Sequence, residues 1–421
     1  MSSTESAIDA NDHRGRPRVV ITGVGLKTPA GNDVVSFWSR LLAGNSAADR
    51  IRNIDPSALP VQFACEVPEF DSEPYFGSKE ARRLDRVTHL GLAAAVDALE
   101  DAGDVRTDPA RCAVIAATGV GGLSTLEEQE RVYHDKGASR VSPFFVPMMM
   151  ANRTAGEIAM CFGWTGVNLC ISTACAAGAH AIGEGARLIR DGSADVVLAG
   201  GSEAAITQIC MAAFARMGAL SARNDDPAHA SRPFDADRDG FVMGEGAGFV
   251  VLERIDRANA RDARVLGEVL GYGRNDDAHH VTAPSPGGAG AAACMQLAID
   301  DSGLALSAIG HVNAHGTSTP LNDAAEAEAI RKVFGDETPP VTSVKGVIGH
   351  TIGAAGAIEA IAGVLSVREG VVPPTANHER RGDDIDIEIV AGGPREVGSR
   401  PVLSNSFGFG GHNASLIIGP A

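Results

Sequence analysis

Short apolar runs rich in β-branched residues alternate along the chain with stretches whose apolar residues recur every three or four positions. RVVITGVG from Arg18, CAVIAATG from Cys112, ADVVLAGG from Ala194 and GFVVLE from Gly248 are runs of the first kind. HVNAHG from His311, PVLSNS from Pro401 and ASLIIG from Ala414 continue the series. Near-continuous runs suit strands that are covered on both faces. HLGLAAAVDALEDAG from His89 and AAEAEAIRKVFG from Ala324 have helical spacing and stop on glycine, as helices commonly do. Strands alternating with helices predict an α/β layered fold. RVVITGVGL near Val19 and RVLGEVLGYG near Val265 share a pattern, so each opens one half of the chain. No low-complexity linker separates the halves, which predicts a shared core. The boundaries read as a disordered polar tail over 1–17, a first half over 18–262 and a second over 263–421.

Composition narrows the class. The chain has 421 residues, 44% of them apolar, enough for one large core or two fused ones. Its seven cysteines are scattered, odd in number and lack CxxC spacing, which argues against disulfides or structural zinc and for a reducing cytoplasm. No apolar run reaches membrane-spanning length, and the N-terminus lacks the apolar core of a secretory signal. A net charge of −17 disfavours nucleic acid as a partner. An acidic partner would need a local basic patch.

Three stretches carry candidate chemistry. In STACAAGAHAIGEGARLI, from Ser172, Cys175 stands where a helix begins; Ala179, Ile182, Ala186 and Ile189 form that helix's apolar stripe. The helix N-terminus favours thiolate, the nucleophilic form, and small neighbours admit a substrate carbonyl. Cys112, Cys170 and Cys294 read as ordinary core cysteines. His315 lies in NAHGTSTPLND at a strand end; His350 lies in SVKGVIGHTIGAAGAIEA at a helix start, five residues after Lys345. A helix N-terminus and a lysine both disfavour imidazolium, and a neutral imidazole can donate to an oxygen gaining charge. Each histidine alone reads more plainly as structural; with Cys175 the three make a catalytic set. No carboxylate or second histidine stands at ligand spacing, so a metal site is not expected. SNSFGFGGHNASLIIG, from Ser404, predicts an irregular glycine turn able to present an N–H to a substrate oxygen.

TACAAG, NAHGTSTP, VKGVIGH with GAAGAIEA, and NSFGFGGHN together resemble the signature blocks of β-ketoacyl-[acyl carrier protein] synthases, most nearly the type II enzymes of fatty-acid elongation. ASRPFDADRDGFVMGEGAG from Ala230 and SPFFVP from Ser142 extend the likeness over nearly the whole chain after the tail. The resemblance implies a thiolase fold, two similar halves in a five-layer αβαβα sandwich, and a cytoplasmic homodimer. It implies that Cys175 carries the acyl chain, and that His315 and His350 bond the malonyl thioester oxygen. Lys345, supported by Glu359, would tune them, and the N–H groups of Cys175 and Phe409 would form the oxyanion hole, Phe409 also acting as a gate. Thr317 and Thr319 would contact pantetheine; Val120 and Phe145 would line the acyl pocket, Phe145 from the partner subunit; His280 and Thr282 would stand at the entrance. The run GSKEARRLDR from Gly77 supplies a basic patch of Lys79, Arg82, Arg83 and Arg86 to dock an acyl carrier protein, and Arg82 and Arg83 match the family's docking positions. No cofactor or metal is implied beyond the carrier's phosphopantetheine. His412 departs from the threonine many members carry, and VPMMMANRTAG from Val146 is methionine-rich. Both leave fatty-acid and polyketide or polyene elongation open, as well as a heterodimer with a chain-length-factor-type subunit. A degradative thiolase would carry a second catalytic cysteine near the C-terminus, and none follows Cys294. A non-catalytic partner subunit would lack the nucleophile.

Overall fold

The computed structural model describes residues 10–68 and 70–421. Its main sheet has ten strands. Five come from the first half: β1 (Val19–Lys27), β2 (Cys112–Ala117), β3 (Asn168–Ile171), β4 (Val196–Glu203) and β5 (Gly246–Arg254). Five come from the second: β6 (Gly267–Asp276), β7 (His311–Asn313), β8 (Val341–Thr342), β9 (Val402–Phe407) and β10 (His412–Gly419). The spatial order is β8-β7-β9-β10-β6-β1-β5-β4-β2-β3. Counted from each half's own first strand, both halves run third, second, fourth, fifth, first. The direction pattern repeats too. β2 is parallel to β3 and β4 as β7 is to β8 and β9, while β5 and β10 run antiparallel to their neighbours. The halves join edge to edge where Val20 faces Glu268 and Ile21 faces Gly267.

Helices make the other layers. α1 (Arg86–Ala102) and α2 (Arg153–Phe162) cover the outside of the first five strands; α4 (Ala289–Ser302) and α5 (Pro320–Phe334) lie on the second-half side. Between the two sets lie α3 (Ala177–Arg190) and α6 (Ala355–Glu369), which pack on each other and on strands of both halves. That is the five-layer thiolase arrangement. All nine residues of β1 are buried, as its apolar run predicts. α3 and α6 touch backbone to backbone. A Cβ on Gly178 would stand 2.6 Å from Ala357 N, and one on Gly356 2.6 Å from Ala179 N. Only glycine permits that approach, and it brings together the two helix starts on which the site is built.

Residues 10–17 differ from the expected disordered tail. The Asp12 carboxylate accepts from the Arg14 and Arg16 amides, and both arginines pair with Asp301 on α4. A local turn plus ion pairs to the body orders this segment; residues 1–9 lie outside the described residues. Among the described residues, no helix is long and apolar enough to cross a membrane.

Candidate active site

After β3 the chain turns sharply. Ala174 holds a left-handed φ of 49°, unusual for a residue with a side chain, and a short 3-10 turn over Ala174–Ala176 leads into α3. Cys175 sits in that turn, only 7% exposed. After β7 comes His315, whose backbone is pinned from α5: the His315 and Gly316 amides donate to the Glu326 carboxylate at 2.9 and 2.7 Å. After β8 a one-turn helix, Lys345–Ile348, delivers His350. His350 Nε2 stands 2.9 Å from Cys175 Sγ. The two imidazoles meet edge to face with centroids 5.4 Å apart. Three segments far apart in the chain thus converge on one point.

Electrostatics follow from burial. Lys345 and Glu359 form an ion pair with both side chains 1% exposed. The Lys345 ammonium also donates to His315 Nδ1 at 3.4 Å, which leaves the His315 proton on Nε2. Burial, then the Lys345 charge, holds His315 and His350 well below the usual histidine range, so both are neutral imidazoles. Cys175 differs from the sequence expectation of a ready thiolate. Burial pushes its thiol up to about 12, against the opposing pull of Lys345 and the Phe409 amide. Desolvation of a buried anion is the largest influence on it. His350 Nε2, 2.9 Å away, is the nitrogen within hydrogen-bond reach of that thiol.

The glycine turn after β9 closes the site. Gly408 lies so near the nucleophile turn that a Cβ there would stand 2.8 Å from Thr173 O and 3.2 Å from Cys175 N. The turn is braced by Gly408 N donating to His412 O at 2.7 Å. Phe409 leans on Phe214, and its amide lies beside the Cys175 sulfur. The His412 imidazole is 3.6 Å from the Asp276 carboxylate at the end of β6.

These groups open into a cavity of about 570 Å³. Cys175, His315, His350, Thr317, Thr319, Val120, Thr282 and Phe409 all border it. Thr317 and Thr319 share a hydroxyl hydrogen bond of 2.9 Å, and Thr319 also caps α5. His280 lies outside the cavity lining; it is exposed and accepts from the Thr282 and Ala283 amides at 3.1 Å each. Phe145 does not line this chain's cavity, and begins the short helix Phe145–Met149 at the surface. Lys79 and Arg82 are exposed, while Arg83 lies over the Phe144 ring at 4.8 Å. Arg86 is not available to a partner, because it is bound to the buried Glu245 carboxylate at 2.5 and 2.7 Å.

Sequence reasoning missed two buried carboxylates. Glu203, at the end of β4, accepts from the Gly119 amide at 2.6 Å, the Gly353 amide at 3.1 Å and the Thr118 hydroxyl at 3.0 Å; burial raises it to about 7. Glu326 is likewise raised to about 7 by burial. A signal existed for Glu326. It falls on the same helical stripe as Ala327, Ile330 and Phe334, where an acid has no surface role. Cys175, His315 and His350 also offer three ligand atoms within 4.8 Å of one another, the one such grouping among the described residues. The neighbouring Lys345 ammonium opposes a cation there.

Comparison with known proteins follows the same lines. The family model "Beta-ketoacyl synthase, N-terminal domain" matches residues 16–258, and "Beta-ketoacyl synthase, C-terminal domain" matches 266–379. A 3-oxoacyl-[acyl-carrier-protein] synthase 2 from Synechocystis sp. is 45% identical over 407 residues, covering 95% of this chain and 97% of that protein. The synthase 2 of Vibrio cholerae is 45% identical, with coverage of 95% and 98%. Among solved structures, the ishigamide ketosynthase/chain length factor superposes with a TM-score of 0.90 at 37% identity, covering 96% of this chain and all of that one (100%). A β-ketoacyl synthase from Burkholderia phymatum gives 0.90 at 34% identity, with coverage of 96% and 99%. With both family domains matched in order and the relatives aligned almost end to end, the chain belongs to the β-ketoacyl synthase family.

Proposed function

We propose that this chain catalyses decarboxylative Claisen condensation of an acyl group on Cys175 with malonyl-[acyl carrier protein], giving β-ketoacyl-[acyl carrier protein]. The observation that carries the reading is the 2.9 Å approach of His350 Nε2 to Cys175 Sγ inside a cavity that His315 also faces. In the first half-reaction Cys175 attacks the carrier's thioester. Its proton passes through His350 to the departing pantetheine thiolate, and the N–H groups of Cys175 and Phe409 take up the oxyanion charge. In the second, malonyl thioester loses carbon dioxide. The electron pair of that C–C bond forms an enolate, whose oxygen receives hydrogen bonds from His315 Nε2–H and from His350 in the tautomer that carries its proton on Nε2. The enolate carbon then attacks the acyl-Cys175 carbonyl and the C–S bond breaks; the thiolate released takes a proton from water through His350, restoring the cysteine. Lys345, held by Glu359, fixes which nitrogen of His315 carries the proton. The substrates arrive on phosphopantetheine, and these steps balance without a further cofactor. Thr317 and Thr319 are suited to the pantetheine amides, Val120 to the acyl chain, and His280 and Thr282 to the entrance. Lys79, Arg82 and Arg83 form the carrier's landing site.

The free edge of β3 favours a dimer. Leu169 on it is 48% exposed, and Met160 on α2, with Phe144 and Val146 earlier in the chain, are further exposed apolar residues. An uncovered apolar edge of this kind invites pairing with a second chain. In this reading the dimer is of two copies, and Phe145 serves the partner's acyl pocket. A second reading makes the partner a chain-length-factor-type subunit, as in the ketosynthase/chain length factor structure similar to this chain. Both place the enzyme in fatty-acid or polyketide elongation in the cytoplasm, where its free cysteines stay reduced. The test is intact mass after incubation with a series of acyl-carrier proteins. One acyl group should be gained, localised to Cys175 and absent from Cys175→Ala. Label that survives in Cys175→Ala would refute the reading.

A further inference from the structure

His180, on α3, lies directly under the nucleophile turn and is buried. The backbone carbonyl of Asn413 in β10 lies beside the ring. Nδ1 and the Thr173 hydroxyl share a hydrogen bond of 2.7 Å. The ring is held edge-on by Tyr272, with centroids 6.3 Å apart, and burial keeps it neutral by lowering it to about 4. Asn413 is itself fixed, its side-chain amide donating to Asn275 at 3.0 Å and Asp277 at 2.8 Å. Thr173 stands two residues before Cys175, and Asn413 four residues after Phe409. One rigid, uncharged side chain therefore ties together the two backbone segments that carry the Cys175 and Phe409 amides. The Thr173 carbonyl is also the atom packed against Gly408.

We propose that His180 is the positioning residue of the acyl-transfer oxyanion hole, setting the spacing between the Cys175 and Phe409 N–H groups. The inference rests on the condensation chemistry proposed above. It separates the two half-reactions, because acylation uses that hole whereas malonyl decarboxylation uses His315 and His350. His180→Leu keeps the volume and removes the hydrogen bond to Thr173 and the polar contact with the Asn413 carbonyl. It should slow acylation of Cys175 by acyl-carrier protein about 10- to 100-fold, since small misplacements of catalytic groups cost on that scale. Carbon dioxide release from malonyl-carrier protein should stay within about twofold, as its donors are untouched. His180→Gln supplies one donor and one acceptor and should recover most of the acylation rate. Thr173→Val removes only the hydroxyl, should slow acylation in the same direction, and decides alone if His180→Leu fails to fold. Acylation and decarboxylation falling together, or acylation unchanged, would overturn the proposal. Retained labelling in Cys175→Ala would instead remove the mechanism beneath it, so the two failures are distinct.

Discussion

Gly353 occupies in the second half the place that Cys175 holds in the first. Thr173-Ala174-Cys175-Ala176-Ala177-Gly178-Ala179 and Thr351-Ile352-Gly353-Ala354-Ala355-Gly356-Ala357 are the same turn twice. Each has a left-handed residue before the central position, Ala174 at φ 49° and Ile352 at φ 45°. Each runs through a 3-10 turn into one of the two crossing central helices. The difference lies in what faces the turn. At Cys175 it is the cavity; at Gly353 it is the Glu203 carboxylate, which accepts the Gly353 amide.

This filling has a measurable consequence. A Cβ on Gly353 would stand 2.2 Å from Gly119 N and 2.8 Å from Glu203 Oε2. Gly353→Ala should destabilise the fold by about 1–3 kcal/mol or more, as overpacking does. Chemical denaturation reads this, and an unchanged midpoint would contradict it.

The Glu203 carboxyl should leave a mark on stability against pH. Folded, it keeps its proton up to about 7, against an ordinary value of 4.5. The folded state binds more protons between those values, so this contribution is full below about pH 4.5 and lost as pH rises through about 7. Glu203→Gln should flatten the decline of melting temperature across that window. Parallel curves for parent and variant would show that Glu203 does not titrate there.

His315→Ala and His350→Ala should each lower malonyl decarboxylation by about 10²–10³, the usual cost of removing one donor to a developing oxyanion. His315→Ala should affect Cys175 acylation far less, because His350 is the base within 2.9 Å of the thiol. Carbon dioxide release and acyl labelling on the same variants check both statements.

Arg82→Glu should raise KM for acyl-carrier protein, more so at low salt, where exposed charges are least screened. A small acyl thioester that needs no docking should react as before. Arg82 is the cleaner choice because Arg83 also covers the Phe144 ring. Equal losses with both substrates would remove the patch from the docking site.

Val120 borders the cavity beside Gly119 and Ile352. Each buried methylene contributes about 0.8 kcal/mol until the chain meets the floor. Val120→Phe should shorten the longest accepted acyl chain and spare the shortest ones. A chain-length series alongside a melting curve separates a blocked tunnel from a damaged core.

Much of the architecture is legible in the order of residues alone. The β-branched runs from Val19, Cys112, Val196 and Gly246 become central strands, because an apolar run of that length has to be covered on both faces. Asn168–Ile171 and Val341–Thr342 are not legible. One is a half-exposed edge strand and the other is two residues long, so neither leaves a pattern. The three reactive residues are legible as members of known signature blocks, yet nothing local says that His350 lies 2.9 Å from a cysteine 175 positions away. Only the tertiary structure decides the charges there. The start of a helix argues for a thiolate at Cys175, and the fold buries that start among β10, α6 and the Phe409 turn, leaving a thiol raised to about 12. Arg86 repeats the lesson: basic in a basic run, it is claimed by Glu245 from 159 residues away. Periodicity follows from each residue's immediate neighbours and so survives in the sequence. Solvation of a charge depends on whichever distant segments enclose it, and that is set only when the chain has folded.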